Sequence, residues 1–166
     1  MTFSPDLTTE QPVLRHAARV ILLDGADRIL LLRWRLKSGD HLWITPGGGL
    51  AAGEHHVEAA LRELAEEVGL REVTLGPCVW LREHVFNWNG RAYRQRERFY
   101  LLRVGAHQVD RSGNDAQELE VLEEFRWWTH SELEASEETF APRRLSFFLA
   151  RLLAGEIPSN PVDVGG

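Results

Sequence analysis

GEHHVEAALRELAEEVGL, residues 53 to 70, decides how this chain is read. Apolar side chains recur at Val57, Ala60, Leu61, Leu64 and Val68. That spacing draws one stripe down an α-helix, so a helix is expected over residues 55 to 68. Gly69 is the residue type that ends helices in the left-handed conformation, and Leu70 can fold back on the last turn. At 3.6 residues per turn, Glu63, Glu66 and Glu67 fall together, away from the centre of the stripe. Like charges four residues apart repel by only about 0.2–0.5 kcal/mol. A solvated acidic surface tolerates that, and a surface built for a cation uses it.

The residues just ahead weigh on the choice. PGGGLAAGE, residues 46 to 54, sets Gly47, Gly48 and Gly49 beside the helix start. Glycines let the backbone come close to a ligand. A carbonyl-rich loop next to three carboxylates offers only oxygen donors, as a hard cation requires. Mg²⁺ commonly takes one or two carboxylates, several waters and substrate phosphates.

Around this core the sequence alternates between extended and helical patterns. Residues 15–23 and 28–33 read as strands joined by the turn DGAD. LKSGDH is a loop, and LWIT is a short strand running into the glycines. Residues 73–86 are extended, with a break at Gly76-Pro77. Asn89-Gly90 centres a second hairpin turn. Residues 94–104 return as a strand. RSGNDAQ, residues 111–117, is a loop, and residues 122–128 form a further strand. Ser131, with Glu134 three residues on, is at capping-box spacing for a short helix. A last amphipathic helix is expected from Pro142 to Ala154, stopped by Gly155. This order predicts an α/β fold, a mixed sheet with helices on its faces. One domain spans residues 13–157, between a loose leader at 1–12 and a loose tail at 158–166.

Composition narrows the function classes. The formal net charge is −6, from 19 basic and 25 acidic residues. That counts against broad affinity for nucleic acid. A lone cysteine, Cys78, makes no internal disulfide and reads as a small core hydrophobe. No apolar stretch approaches membrane-spanning length, and no signal peptide is evident, so a cytoplasmic location is expected.

Residues 48 to 70 read G-x5-E-x7-R-E-L-x-E-E-V-G-L. This resembles the box of the Nudix hydrolases at Gly48, Glu54, Arg62, Glu63, Glu66, Glu67 and Gly69, with Leu64 and Leu70 at its aliphatic positions. The resemblance implies an α/β/α sandwich and a Mg²⁺- or Mn²⁺-dependent hydrolase that cleaves a diphosphate linked to a nucleoside. It implies that Glu63, Glu66 and Glu67 bind metal, that Glu63 takes part in activating water, and that Arg62 orients Glu63. The Gly47 carbonyl would join the metal shell, and Glu54 would position loop and helix. The resemblance also implies a homodimer, an assembly common in the family.

Outside the box, Glu97 in RQRERFYLL is the candidate for a further ligand or general base. It shares one strand face with Gln95 and Phe99. The alternative is an ion pair with Arg96, Arg98 or a cross-strand arginine. Glu83 is a second candidate of the same kind. His55 and His56 either face phosphates or lie in solvent, and no His/Cys spacing suits zinc. Gly48, Arg33, Trp34 and Trp88 are candidates for phosphate and substrate contacts, with Arg35, Arg82 and Phe86 nearby in type. Trp43 reads as core, and Trp127 and Trp128 as core and rim of the late strand. The expected substrate is a small nucleotide, such as a nucleoside triphosphate, a nucleotide sugar or ADP-ribose. A catalytically silent nucleotide-sensing domain and an RNA 5′-end pyrophosphohydrolase are the alternatives. The intact carboxylate set argues against the first of these, and the net charge against the second.

Overall fold

The runs Val20 to Leu23 and Ile29 to Leu32 are buried on both sides, which is why they are apolar without interruption rather than alternating. A computed structural model describes residues 11–105, 107, 109, 110, 112, 113 and 121–166. The two runs lie in strands β1 (Val13–Leu23) and β2 (Ile29–Arg35). Asp24 closes the turn between them by accepting from the backbone N–H groups of Ala26 and Arg28. β3 (His41–Ile44) pairs antiparallel with β2, and β4 (Gly47–Gly49) pairs antiparallel with β1. The glycines predicted as a flexible loop are therefore a strand, pinned against Ala17 to Arg19. Glycine has no strand propensity to reveal this; the pairing is tertiary.

β5 (Cys78–Trp88) and β6 (Arg91–Arg103) form the second hairpin. Asn89 and Gly90 take φ of 49° and 76° at its turn, as the Asn-Gly pair predicts. β6 runs parallel to β1 over the full length of β1. β7 (Leu122–Trp128) pairs with β2, and the short β8 (Phe140–Ala141) with β3. The strand expected over residues 73–86 begins later, at Cys78. Gly76 and Pro77 still reach the sheet, bonding the N–H and C=O of Leu101.

Side chains alternate across the sheet into two cores. Val20, Leu22, Leu30, Leu32, Tyr100 and Leu102 meet the helix α1 (His56–Val68) on one face. Ile21, Leu23, Ile29, Leu31, Phe99 and Leu101 meet α2 (His130–Ala135) and α3 (Leu145–Leu153) on the other. This is the mixed sheet with helices on its faces that the element order predicts, and the α/β/α sandwich that the resemblance implies. Each large side chain buried in it contributes about 1.5–3 kcal/mol.

α1 ends as predicted: Gly69 takes φ 72°, and the Leu70 N–H bonds the Leu64 carbonyl. Its buried face is rotated from the predicted stripe. Val57 is 43% exposed, whereas Glu63 and Glu67 are 6% and 2% exposed. α2 is capped two residues earlier than expected, by Thr129 with Glu132 in a reciprocal capping box. Thr129 and Ser131 both stand three residues before a glutamate, and Trp128, buried at the end of β7, fixes which one serves. α3 starts at Leu145 rather than Pro142. The tail is not loose throughout: β9 (Val162–Asp163) pairs parallel with β5, and Val164 is buried. Of the leader, residues 1–10 lie outside the described residues, as does most of the 111–117 loop.

Candidate active site

α1 lies against β4, and the contact is built from the box residues. The Gly47 N–H donates to Glu67 Oε2 at 2.9 Å. Gly48 lies so close to the Glu63 carboxylate that a side chain there would overlap it. Gly47 has φ 144°, and a β-carbon on it would strike the Ala18 carbonyl. The glycines thus let a helix and a strand approach with two carboxylates between them.

Arg62 ties the rest together. Its Nε and Nη2 donate to the two oxygens of Glu54 at 2.8 and 3.0 Å. Nη2 also reaches the Gly49 carbonyl at 3.1 Å. Nη1 donates to Glu63 Oε1 at 3.0 Å and to Glu66 Oε2 at 3.3 Å. Bidentate arginine–carboxylate contacts of this kind fix orientation as well as charge. Arg62 and the Ala51 N–H hold the Glu54 carboxyl down at about 2, and Glu54 in turn raises the Arg62 guanidinium.

The sign of the Glu54 shift gives a pH window. A depressed carboxyl adds stability above its unfolded value and loses it as pH falls through the folded one. In urea unfolding, the gap between the parent chain and Glu54→Gln should be constant near neutrality. It should shrink only as pH falls from about 4.5 toward about 2. A gap that closes by pH 6 would contradict the Glu54–Arg62 clamp.

The carboxylate set suits a hard divalent cation. Every donor is oxygen, two of the four box glutamates, Glu63 and Glu67, are buried, and one guanidinium is shared among Glu54, Glu63 and Glu66. A cation would offset that crowding. Among the described residues no three acidic, His or Cys side chains close into a cage. The arrangement is an open face, the form that leaves room for waters and substrate phosphates.

Glu97 lies elsewhere. It shares the sheet face of Phe99 and Leu101, away from α1. It is 1% exposed, and Arg19 Nε, Arg82 Nη1 and Gln95 Nε2 donate to it at 3.0, 2.9 and 2.8 Å. Although burial opposes it, the flanking Arg19 and Arg82 hold the carboxyl far below the usual range. With the carboxylate buried and three donors on it, Glu97 serves in this geometry as the anchor of Arg19 and Arg82. Of the predicted ion-pair partners, the cross-strand arginine is realised, twice, as Arg19 and Arg82. Glu83 likewise pairs with Arg96 at 2.7 Å on the surface.

Arg19 is the residue that sequence reasoning missed. Besides Glu97 it bonds the carbonyls of Thr45 and Gly47, at 3.3 and 3.1 Å. It therefore links the buried pair to the strand that carries the site. The signal was present: one arginine stands inside the apolar run AARVILL, and a buried charge needs a partner.

The predicted substrate contacts do not converge. Arg33 and Trp34 point to opposite faces of β2. Arg33 is engaged by Glu123 and Glu124, and Arg35 by Glu123. Trp34 packs against the α1-side core. Trp88 is 55% exposed at a hairpin tip, with the Lys37 ammonium over its ring. Phe86 stacks between His84 and Tyr93. Trp43 and Trp128 are core, and Trp127 is partly buried. Cys78 packs at the edge of the α1-side core, where burial raises its thiol. His56 is half-buried, its imidazole lowered by burial and by Arg98, and its ring meets His16 edge-on; His55 is exposed. No described helix is long and apolar enough to cross a membrane.

Comparison with known proteins bears on this geometry. The NUDIX domain model matches residues 13–150. An RNA pyrophosphohydrolase of Wolbachia pipientis subsp. Culex pipiens is 37% identical over 138 residues, covering 78% of this chain and 83% of that protein. The MutT protein of Methanosarcina mazei Go1 superposes with TM-score 0.63 at 18% identity, over 89% of this chain and 99% of that one. A MutT NUDIX hydrolase from Burkholderia pseudomallei superposes with TM-score 0.60 at 23% identity, over 82% and 97%. With the box residues folded together as above, the chain belongs to the Nudix family and is a hydrolase of pyrophosphate linkages.

Proposed function

We propose that this chain hydrolyses the 5′-triphosphate end of RNA, using Mg²⁺ held at the helix–glycine site. The observation that carries the substrate reading is the 37% identity to an RNA pyrophosphohydrolase across most of both chains. The observation that carries the site is the packing of Glu63 and Glu67 against β4, with Arg62 bound to Glu63 and Glu66.

Each residue then has a task. Glu63, Glu66 and Glu67, with the Gly47 carbonyl, would hold the cation. That carbonyl already accepts from Arg19, and a carbonyl oxygen has a second lone pair. The cation would neutralise the phosphates and lower the pKa of bound water. Arg62 keeps Glu63 aimed, and Glu63 receives the proton of the attacking water. Glu54 holds Arg62. Gly48 leaves space for the Glu63 carboxylate. Arg19 fixes the Gly47 carbonyl from behind and is itself anchored by Glu97. Positioning of this kind is most of what a protein contributes to attack at a phosphate.

Free nucleoside triphosphates are the second reading, favoured by the net charge of −6, which suits a small ligand better than a long polyanion. One assay separates the two. Triphosphorylated RNA, nucleoside triphosphates, a nucleotide sugar and ADP-ribose would be offered with Mg²⁺ or Mn²⁺. Conversion of the RNA to a 5′-monophosphate end, at a kcat/KM at least about tenfold above that for any free nucleotide, is the expected result. Turnover of the free nucleotides alone would assign the substrate to the second reading.

A further inference from the structure

On the α1 side of the sheet, past the N-terminus of α1, three strands carry a face that no described element covers. β6 supplies its centre with Arg94, Arg96 and Arg98, all exposed and all on this side. β1 flanks them with Leu14 and His16, and β5 with Val85, Glu83 and Leu81, in register across the sheet. Leu14, Val85 and Leu81 are 49%, 58% and 39% exposed. The hairpin segment from 82 to 98 holds five arginines against two glutamates, in a chain whose net charge is −6. Of these, Arg82 and Glu97 are turned to the other face and paired there.

We infer that this face binds the ribose-phosphate backbone of single-stranded RNA leading away from the active site. The inference rests on the RNA reading above. The charge complementarity is local: three arginines occupy alternate residues of one strand, their Cα atoms about 6.7 Å apart. Among the described residues Glu83 opposes them here, through exposed pairs to Arg96 and Arg94 at 2.7 and 3.7 Å. Such pairs are worth little in water and are readily exchanged for phosphate contacts. The leucines and valine beside the arginines, on the flanking strands, offer apolar contact to sugars. His16 is the aromatic ring in these rows, and no Phe, Tyr or Trp among the described residues joins it, so binding there is set by backbone charge more than by base identity.

The face also joins the site. His16 meets the His56 ring at 5.7 Å, and Arg98 acts on the same imidazole. His56 opens α1, two residues after Glu54, the partner of Arg62. A strand held at its 5′ end near β4 could thus run past α1 onto β6.

The test uses the full chain and an RNA of about 12 nucleotides with a 5′-hydroxyl end, which gives the catalytic site no terminal phosphate. Fluorescence anisotropy would be read without metal at salt from about 50 to 200 mM. The parent chain should bind with a log–log salt slope near −2, from about 0.7 per neutralised phosphate over three contacts. Arg96→Glu with Arg98→Glu should weaken binding at least about tenfold at the lower salt, and Glu67→Gln should not. Turnover of a free nucleoside triphosphate should be the same in the charge-reversed variant as in the parent, which also reports that it folds.

Three results would overturn the inference: no binding of the hydroxyl RNA by the parent, equal binding by the charge-reversed variant, or a salt-independent affinity. Self-association through this face, abolished by Arg98→Glu while RNA stays unbound, would do so as well. Failure of the triphosphorylated RNA assay would remove the substrate reading without touching these binding results.

Discussion

Glu67→Gln is expected to reduce turnover by about 10²–10⁴-fold while the protein stays folded. The residue is not part of an open acidic surface, as its helix position suggests, but is 2% exposed beneath β4. Its Oε2 accepts the Gly47 N–H. Glutamine keeps the shape and can still accept that bond through its amide oxygen. What it removes is one negative charge from the set that would hold the cation. The loss should therefore appear in kcat and in the Mn²⁺ concentration needed for half activity, with a melting temperature changed by only a few degrees. Glu67→Ala would be a different experiment, since it also leaves the Gly47 N–H without its carboxylate. An active Glu67→Gln enzyme would show that the cation sits elsewhere.

Glu97→Ala should unfold the protein more readily than any substitution in the box. It leaves Arg19 and Arg82, 12% and 9% exposed in their side chains, facing each other without a counter-charge. Removing one partner of a buried pair costs about 3–5 kcal/mol. At this chain length that lowers the melting temperature by about 6–20 °C. Activity should fall with stability, and should largely return when assayed well below the new transition. The contrary pattern would be full stability with activity lost at every temperature. That outcome would restore Glu97 to the role of proton acceptor, against its two arginine partners.

The two substitutions mark what could be read from the residues alone. The helix over residues 55–68 was legible because its period, its Gly69 stop and its acidic run are all local. The Asn89-Gly90 turn was legible for the same reason. What lay hidden was contact between distant segments. Gly47 to Gly49 carry no strand propensity, and only their pairing with Ala17 to Arg19 makes them a strand. That strand then buries Glu63 and Glu67, which helical periodicity places outside the apolar stripe. Arg19 and Glu97 are 78 residues apart, and period-2 alternation states that Glu97 has a face without saying which layer covers it. The cap of α2 failed locally instead. Two overlapping Ser/Thr-x-x-Glu frames, at Thr129 and Ser131, satisfy the same rule, and the sheet's last tryptophan decides between them.

The segment after Asn160 has a bearing on how the molecule behaves in a crowd. β9 lies along the outer edge of β5, the Val164 N–H bonds the Leu81 carbonyl, and Gly166 comes to rest against the Glu83 carbonyl. An uncovered edge of this length is a template on which a second molecule can add a strand and seed precipitation. Here part of that template is filled by the chain's own residues, so a protein trimmed at this end would trade a few poorly conspicuous residues for a sticky border.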